Sequence, residues 1–216
     1  VAAVTGVRGG KTMSGTVKLL DYLQRHEGAL AVVTAPTFPM LRDTTIRELF
    51  KVWPRELIGE WAVGTMTLTM VNGSQVFFRS TDDPDNLRGI TARVAWMDEA
   101  AMSTLEAFRI LQARISEAGK EAQIFLTTTA KGYNWVYDEF VGKPKKGFSF
   151  HTWDARVNRF VEREFFERLE ESYDPDFFDQ EVRGAFVAVG LMAQFDREWL
   201  KRLTGGCAEA DKGCLR

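Results

Sequence analysis

The chain has 216 residues, 45% of them apolar, with a formal net charge of −2 at pH 7. This composition predicts a globular protein with a sizeable core and excludes collagenous and low-complexity classes, while the slight negative charge means that any attraction to nucleic acid must come from a local basic patch. Its apolar runs are too short to span a membrane and it has only two cysteines and two histidines, so we expect a soluble intracellular protein without a disulfide framework or a histidine metal site.

Strand-like and helix-like patterns alternate along most of the chain. Short apolar runs bounded by turn residues predict strands, and helical spacing of apolar residues predicts helices. The predicted strands are 1–5, 29–34, 93–97, 123–129 and 147–153, and the predicted helices are 12–26, 40–53, 104–115, 135–141, 161–173 and 175–186. Ser103 is the expected N-cap of helix 104–115. Alternation over 65–80, around Asn72-Gly73, predicts an antiparallel hairpin.

This order indicates an α/β fold. We expect a mainly parallel sheet flanked by helices on both faces, with a β-hairpin excursion and a small helical C-terminal subdomain. The predicted divisions are a core at 1–156, a helical subdomain leading to a linker at 157–203, and a tail or the start of a linker at 204–216. Ligands in such sheets bind at the carboxyl ends of the strands.

The segment TGVRGGKT, residues 5–12, follows the first predicted strand and precedes the first helix. Its glycines can bring backbone N–H groups to phosphate oxygens, and the positive end of the helix dipole points to the same place. Lys11 would reach the β- and γ-phosphates, and the Thr12 hydroxyl would bind Mg²⁺. Thr5 stands where the usual pattern has glycine, and the alternative is a tight turn with an exposed lysine. The predicted nucleotide-binding residues are Gly6, Val7, Arg8, Gly9, Gly10, Lys11 and Thr12.

Two acids follow the apolar run of residues 94–97. Asp98 can hold the hydration shell of Mg²⁺, and Glu99 can act as the general base on an attacking water. Acids at a strand end are often only solvated, so this motif gains its meaning from Gly10-Lys11-Thr12 on an earlier strand of the same sheet. Together they predict a Walker A and Walker B pair with a catalytic glutamate.

Three further features are less specific. Thr127, Thr128 and Thr129 close a predicted strand, where they are ordinary strand formers or could sense the γ-phosphate and couple hydrolysis to the next segment. Arg88 could act as an arginine finger, in cis or donated to a neighbour, or form a surface ion pair with Asp82, Asp83 or Asp85. Arg8 lies within the phosphate loop, near bound nucleotide or paired within the protein.

Taken in order, these motifs resemble the ATPase domain of the large terminase subunit, the DNA-packaging motor of tailed bacteriophages. The resemblance also rests on Ala35-Pro36-Thr37, on residues 78–80 and 86–89, and on Gln180-Glu181-Val182-Arg183-Gly184-Ala185-Phe186, so it extends over nearly the whole chain. No single motif carries it; the order and spacing do.

The resemblance implies an additional-strand, RecA-like P-loop NTPase that uses ATP and Mg²⁺ to translocate double-stranded DNA into a procapsid. It implies that Lys11 and Thr12 bind phosphate and metal, that Asp98 holds the metal, that Glu99 is the base, and that Thr127–Thr129 form the coupling motif. Arg88 resembles an arginine proposed to act in trans. The implied partners are the portal, the small terminase subunit and further copies in a ring, a pentamer when docked. The implied location is the host cytoplasm.

The pattern leaves alternatives open. Asp98-Glu99-Ala100 is similar to the DEAx box of superfamily 2 helicases, and a nucleotide-binding subunit without turnover is a third candidate. Members of the terminase family normally have residues for adenine before the phosphate strand and a nuclease domain after the linker. We therefore assign no adenine-binding residues and expect no nuclease activity from these 216 residues. The densest basic run, residues 143–147, is a DNA-contact candidate or a solvated loop.

Overall fold

The computed structural model describes residues 1–115, 121–143 and 145–188. Within this part of the chain, eight strands form one sheet in the order β3-β4-β5-β2-β6-β7-β1-β8. They are β1 Ala2–Thr5, β2 Leu30–Ala35, β3 Ile58–Ala62, β4 Thr67–Met70, β5 Gln75–Ser80, β6 Val94–Asp98, β7 Gln123–Thr128 and β8 Phe150–Trp153. The neighbours from β5 to β8 pair in parallel, whereas β4 is antiparallel to both β3 and β5. The predicted mainly parallel sheet with a hairpin excursion is confirmed.

The helices that connect the strands lie on both faces of the sheet, and two more follow the last strand. They are α1 Lys11–Arg25, α2 Phe38–Met40, α3 Arg47–Val52, α4 Leu105–Arg114, α5 Trp135–Tyr137, α6 Arg163–Ser172 and α7 Pro175–Glu181. A π-helical stretch, Leu41–Ile46, joins α2 to α3, and a second, Asp138–Gly142, continues α5.

Each face of the sheet carries its own apolar core. On one face, Leu19 and Leu23 of α1 and Leu49 of α3 pack against a cluster that includes Trp96. On the other, Phe108 and Leu111 of α4 pack in a second cluster. Both faces are apolar because successive side chains of a strand point to opposite faces, and those of β6 alternate between the two clusters. Each fully buried Leu or Phe contributes about 1.5–3 kcal/mol, so both layers stabilise the sheet between the helices.

Several predicted boundaries are wrong. β3 was not predicted, because this edge strand is only partly buried and lacks clean alternation. The N-cap of α4 is Thr104, whose hydroxyl accepts from Ala107 N at 3.2 Å, while the Ser103 hydroxyl bonds that of Thr81 at 2.7 Å. The helix predicted at 175–186 ends at Glu181.

The final described residues form a smaller cluster. Phe166 of α6 and Phe178 of α7 pack with Ala155 and Val182. Of the predicted helical subdomain at 157–203, the described residues include α6 and α7. The rest of that prediction, with the tail and its cysteines, lies outside the described residues. In the part of the chain that the structure describes, no helix has the length and apolarity needed to cross a bilayer.

Candidate functional site

The three predicted motifs meet at one edge of the sheet. β6, β7 and β1 are consecutive neighbours and run parallel, so their carboxyl ends lie side by side. Asp98 ends β6, Thr127 and Thr128 end β7, and the glycine-rich loop follows β1. Residues far apart in sequence are thereby brought into a single site, as expected for parallel α/β sheets.

The loop backbone is held in an unusual conformation. Arg8 has φ 57° and Gly10 has φ 83°, and such values are uncommon for a residue with a Cβ. Two carbonyls of this stretch accept hydrogen bonds from side chains: Asn158 Nδ2 donates to Arg8 O at 2.7 Å, and Trp153 Nε1 donates to Gly9 O at 2.9 Å. The Arg8 guanidinium lies over the Phe165 ring, 4.9 Å from its centroid. Arg8 therefore contacts α6 while also lining the cleft.

Lys11 begins α1 and points into the site. Its side chain is only 8% exposed, and its Nζ donates to Gly6 O at 3.1 Å and lies 3.8 Å from Glu99 Oε1. A buried ammonium requires such partners, because burial of an unpaired charge is costly. The first helical residue thus joins the loop to the acid that follows β6.

Asp98 is the most enclosed acid of the site, at 1% exposure. Its Oδ1 accepts from Thr127 Oγ1 at 2.7 Å and from Thr12 Oγ1 at 3.4 Å, and its Oδ2 accepts from Thr45 Oγ1 at 2.8 Å. Burial raises the pKa of Asp98, and the three hydroxyls and the Lys11 charge oppose that rise. Sequence reasoning missed Thr45, because it lies in a π-helical stretch and reaches Asp98 only through tertiary packing.

Glu99 lies in a left-handed conformation, with φ 48°, a region of backbone space that is costly for most residues and is concentrated at functional sites. Its Oε2 accepts from Thr129 N at 3.4 Å. Burial raises the pKa of Glu99, with Lys11 opposing and Asp98 adding to the rise. Thr128 fixes the backbone that follows Glu99, because its hydroxyl accepts from Ala101 N at 3.0 Å.

A cleft of about 650 Å³ opens at this edge of the sheet, within the size range of small-molecule sites. Four of the predicted nucleotide-binding residues line it, namely Arg8, Gly10, Lys11 and Thr12, together with Glu99. Gly6 and Val7 instead face the C-terminal end of α7, where Val7 N donates to Glu181 O at 2.6 Å. Asn158 and Val161 also line the cleft and were missed, because nothing in the local sequence ties them to β1.

Two predicted basic features lie elsewhere. Arg88 forms an exposed ion pair, with its Nε 2.6 Å from Asp85 Oδ1 and its Nη2 3.8 Å from Glu106 Oε1. This is the surface pair that the sequence offered as the alternative to an arginine finger, and the side chain remains accessible. In the basic run, Lys145 pairs with Glu139.

Comparisons of sequence bear on the family. The model of the family described as terminase large subunit, T4likevirus-type, N-terminal, matches residues 4–202. The chain is 25% identical over 222 residues to the PBSX phage terminase large subunit of Bacillus subtilis (strain 168), covering 89% of this chain and 51% of that protein. It is 26% identical over 229 residues to the terminase large subunit of Thermus phage G20c, covering 86% of this chain and 45% of that protein. The chain thus spans about half the length of these relatives.

Comparisons of structure agree on the fold. The large terminase of a thermophilic bacteriophage superposes with a TM-score of 0.79 at 18% identity, over 92% of this chain and 51% of that one. The large terminase ATPase domain of Thermus phage P74-26 gives a TM-score of 0.59 at 24% identity, over 86% of this chain and 88% of that one. These likenesses confirm the predicted α/β fold class, which the chain shares with these large terminases. Since the family model also covers most of the chain, the protein belongs to the T4likevirus-type terminase large subunit family, in its N-terminal part.

Proposed function

We propose that this chain is the ATPase part of a phage DNA-packaging terminase, which hydrolyses ATP to translocate double-stranded DNA into a procapsid. The observation that carries the proposal is that Lys11, Thr12 and Glu99 line one cleft. Lys11 Nζ lies 3.8 Å from Glu99 Oε1, and the Thr12 hydroxyl donates to the buried Asp98 carboxylate. Family membership favours this function over the helicase and the inactive-subunit alternatives.

The phosphate loop is suited to bind the nucleotide. Lys11 and the amides at the start of α1 present positive charge to the cleft, and this arrangement binds phosphate in many folds. The relatives point the same way, because the large terminase of the thermophilic bacteriophage has been solved in complex with ADP and with ATP-gamma-S. We therefore assign Gly10, Lys11 and Thr12 to the phosphates, and Arg8 to the rim.

The residues at the cleft fit a magnesium ion. A threonine hydroxyl and a carboxylate within 3.4 Å of each other offer the hard oxygen donors that Mg²⁺ prefers. Thr12 and Asp98 would hold the ion, with Thr45 and Thr127 fixing the Asp98 carboxylate. Bound Mg²⁺ would neutralise charge on the transferred phosphoryl group.

Glu99 is the proposed general base. Its carboxylate is mostly buried beside Lys11 and is oriented by the amide of Thr129, so it can take the proton of a water at the γ-phosphate. Thr127, Thr128 and Thr129 connect both acids to β7, which is the physical basis for assigning this strand end to coupling. Arg88 would act on a neighbouring copy only after exchanging Asp85 and Glu106 for that copy's nucleotide.

The proposed partners follow from the family. They are double-stranded DNA, the portal, the small terminase subunit and further copies in a ring, a pentamer when docked, in the host cytoplasm. These partners belong to the whole motor, and the chain spans about half the length of the related large subunits.

ATP turnover as a function of protein concentration tests the proposed hydrolysis. Glu99→Gln should lower turnover by more than about a hundredfold, as loss of a general base does, while ATP binding persists. Asp21→Asn, which neutralises an exposed acid on α1 paired with Arg25, is the control and should match the wild type. Wild-type turnover in Glu99→Gln would refute the assignment of the base.

A mixture tests the arginine. Glu99→Gln and Arg88→Ala should each be inactive alone, and turnover restored on mixing them would place Arg88 in trans. If Arg88→Ala retains wild-type turnover across the concentration range, Arg88 is only the surface ion pair with Asp85.

A further inference from the structure

The C-terminal end of α7 and the residues that follow it pack backbone to backbone against the phosphate loop. We call residues 180–184, which are the last two residues of α7 and the next three, the post-α7 segment. Its Glu181 O accepts from Val7 N at 2.6 Å, and its Val182 O accepts from Ala155 N at 2.9 Å. The segment therefore bridges the loop after β1 and the turn after β8.

Gly6 lies in close contact with the backbone of the post-α7 segment. A Cβ placed on Gly6 would lie 2.3 Å from Glu181 O and 2.4 Å from Val182 O, distances that real Cβ atoms do not adopt against backbone. Glycine at position 6 is thus required by the post-α7 segment and not by phosphate alone. The loop cannot move at this point without moving the segment.

Gln180 ties the same segment to the stretch that follows β7. Its side chain is 5% exposed, its Oε1 accepts from Gly132 N at 3.0 Å, and its Nε2 donates to Glu181 Oε1 at 3.2 Å. Gly132 follows shortly after Thr129, whose amide contacts Glu99. One buried amide side chain thereby connects the stretch carrying the Glu99 contact with the segment carrying the Val7 contact.

We propose that Gln180 is a positioning residue for ATP hydrolysis. Through its bond to Gly132 it holds residues 129–132 in place, so that the Thr129 amide keeps its hydrogen bond to Glu99. Through its bond to Glu181 it connects this stretch to the phosphate loop. The inference rests on the proposed function for its effect on turnover. Its geometric part, the buried Gln180–Gly132 bond, does not.

Gln180→Met tests the proposal, because methionine keeps the length of the side chain and removes both hydrogen bonds. We expect kcat for ATP to fall about tenfold, the worth of one well-placed hydrogen bond, while KM changes less than about twofold, since no cleft residue is altered. Phe178→Leu is the matched control: it loosens the same helix within its apolar cluster but leaves the amide bonds in place, so it should lower the melting temperature and keep kcat.

Hydrogen exchange gives an independent measurement on nucleotide-free protein. The peptide containing Gly132 should exchange faster in Gln180→Met than in the wild type or Phe178→Leu. Unchanged exchange, an unchanged kcat, or a kcat loss equal to that of Phe178→Leu would each overturn the proposal. Absence of ATP turnover in the wild type would instead refute the proposed function, and exchange at Gly132 would then decide alone whether Gln180 holds this stretch.

Discussion

Thr127 offers a sharp test of how the site is built, because a single hydroxyl serves two buried partners. It donates to Asp98 Oδ1 at 2.7 Å and accepts from Trp96 Nε1 at 2.7 Å. All three side chains are almost fully enclosed. Replacing Thr127 with Val keeps the branched shape that the strand requires and removes only the hydroxyl.

The cost follows from the two lost bonds. A hydrogen bond to a charged group is worth about 1.5–3 kcal/mol, and a buried donor left without a partner costs about 1–3 kcal/mol. Thr45 and Thr12 still donate to Asp98, so the loss of the hydrogen bond to the carboxylate costs less than it would for an otherwise unpaired Asp98. We expect Thr127→Val to lower the free energy of unfolding by about 2–5 kcal/mol, and to raise the pKa of Asp98 further, since its strongest opposing hydrogen bond is gone.

Urea denaturation of the metal-free protein measures this, with Thr34→Val as the matched control. Thr34 also lies in a central strand at 0% exposure, but its hydroxyl has no hydrogen-bond partner among the described residues. Its replacement should therefore be neutral or stabilising by up to about 1 kcal/mol, because an unpaired buried hydroxyl is itself a cost. If Thr127→Val destabilises no more than Thr34→Val, the network assigned to Asp98 contributes nothing and the reasoning fails.

Three other substitutions probe the surroundings. Gly15→Ala would put a Cβ 2.3 Å from the Trp96 ring, and overpacking of this kind should cost about 1–3 kcal/mol in urea denaturation; unchanged stability would contradict it. Asn158→Ala should cost at most about 1 kcal/mol yet weaken ATP binding severalfold in calorimetry, because the Arg8 carbonyl loses its donor; unaltered affinity would refute that. Burial raises the pKa of Glu99 in the folded protein above its value in the unfolded chain. The free energy of unfolding therefore decreases as the pH rises from the unfolded pKa through the folded pKa, because the folded state disfavours the ionised carboxylate. In Mg²⁺-free buffer, the wild type should therefore lose melting temperature relative to Glu99→Gln as the pH rises. A difference in melting temperature that does not change with pH would contradict the raised pKa.

The fold was largely predictable because its parallel strands are short apolar runs between clear helical patterns. Alternation on either side of Asn72-Gly73 indicated the hairpin, and β4 and β5 pair as predicted. β3 was not predictable in the same way. It is an edge strand with half-exposed side chains, so its pairing depends on β4 and leaves little trace in its own residues.

The residues of the candidate site also differ in how far the sequence could predict them. Lys11, Thr12, Asp98 and Glu99 could be found because each belongs to a compact motif at a strand end. Thr45, Asn158 and Gln180 reach the site through tertiary contacts of helices and loops, and no local pattern distinguishes them from ordinary polar residues. Gln180 did lie in a stretch singled out for family resemblance, but nothing in that stretch indicates its contact with Gly132, which follows a different strand.

Thr5, the departure from the usual phosphate-loop pattern, is explained by the same contacts. It is fully buried, and its hydroxyl donates to Trp153 O at 2.5 Å, anchoring the loop start to β8. A Cβ on Gly184 would come within 2.8 Å of Thr5 Cα, so the post-α7 segment closes over this position from the other side. The first residue of the loop therefore faces the protein and not the cleft. A glycine there would gain no phosphate contact and would lose the anchor, which is why threonine at this position is compatible with a working nucleotide loop.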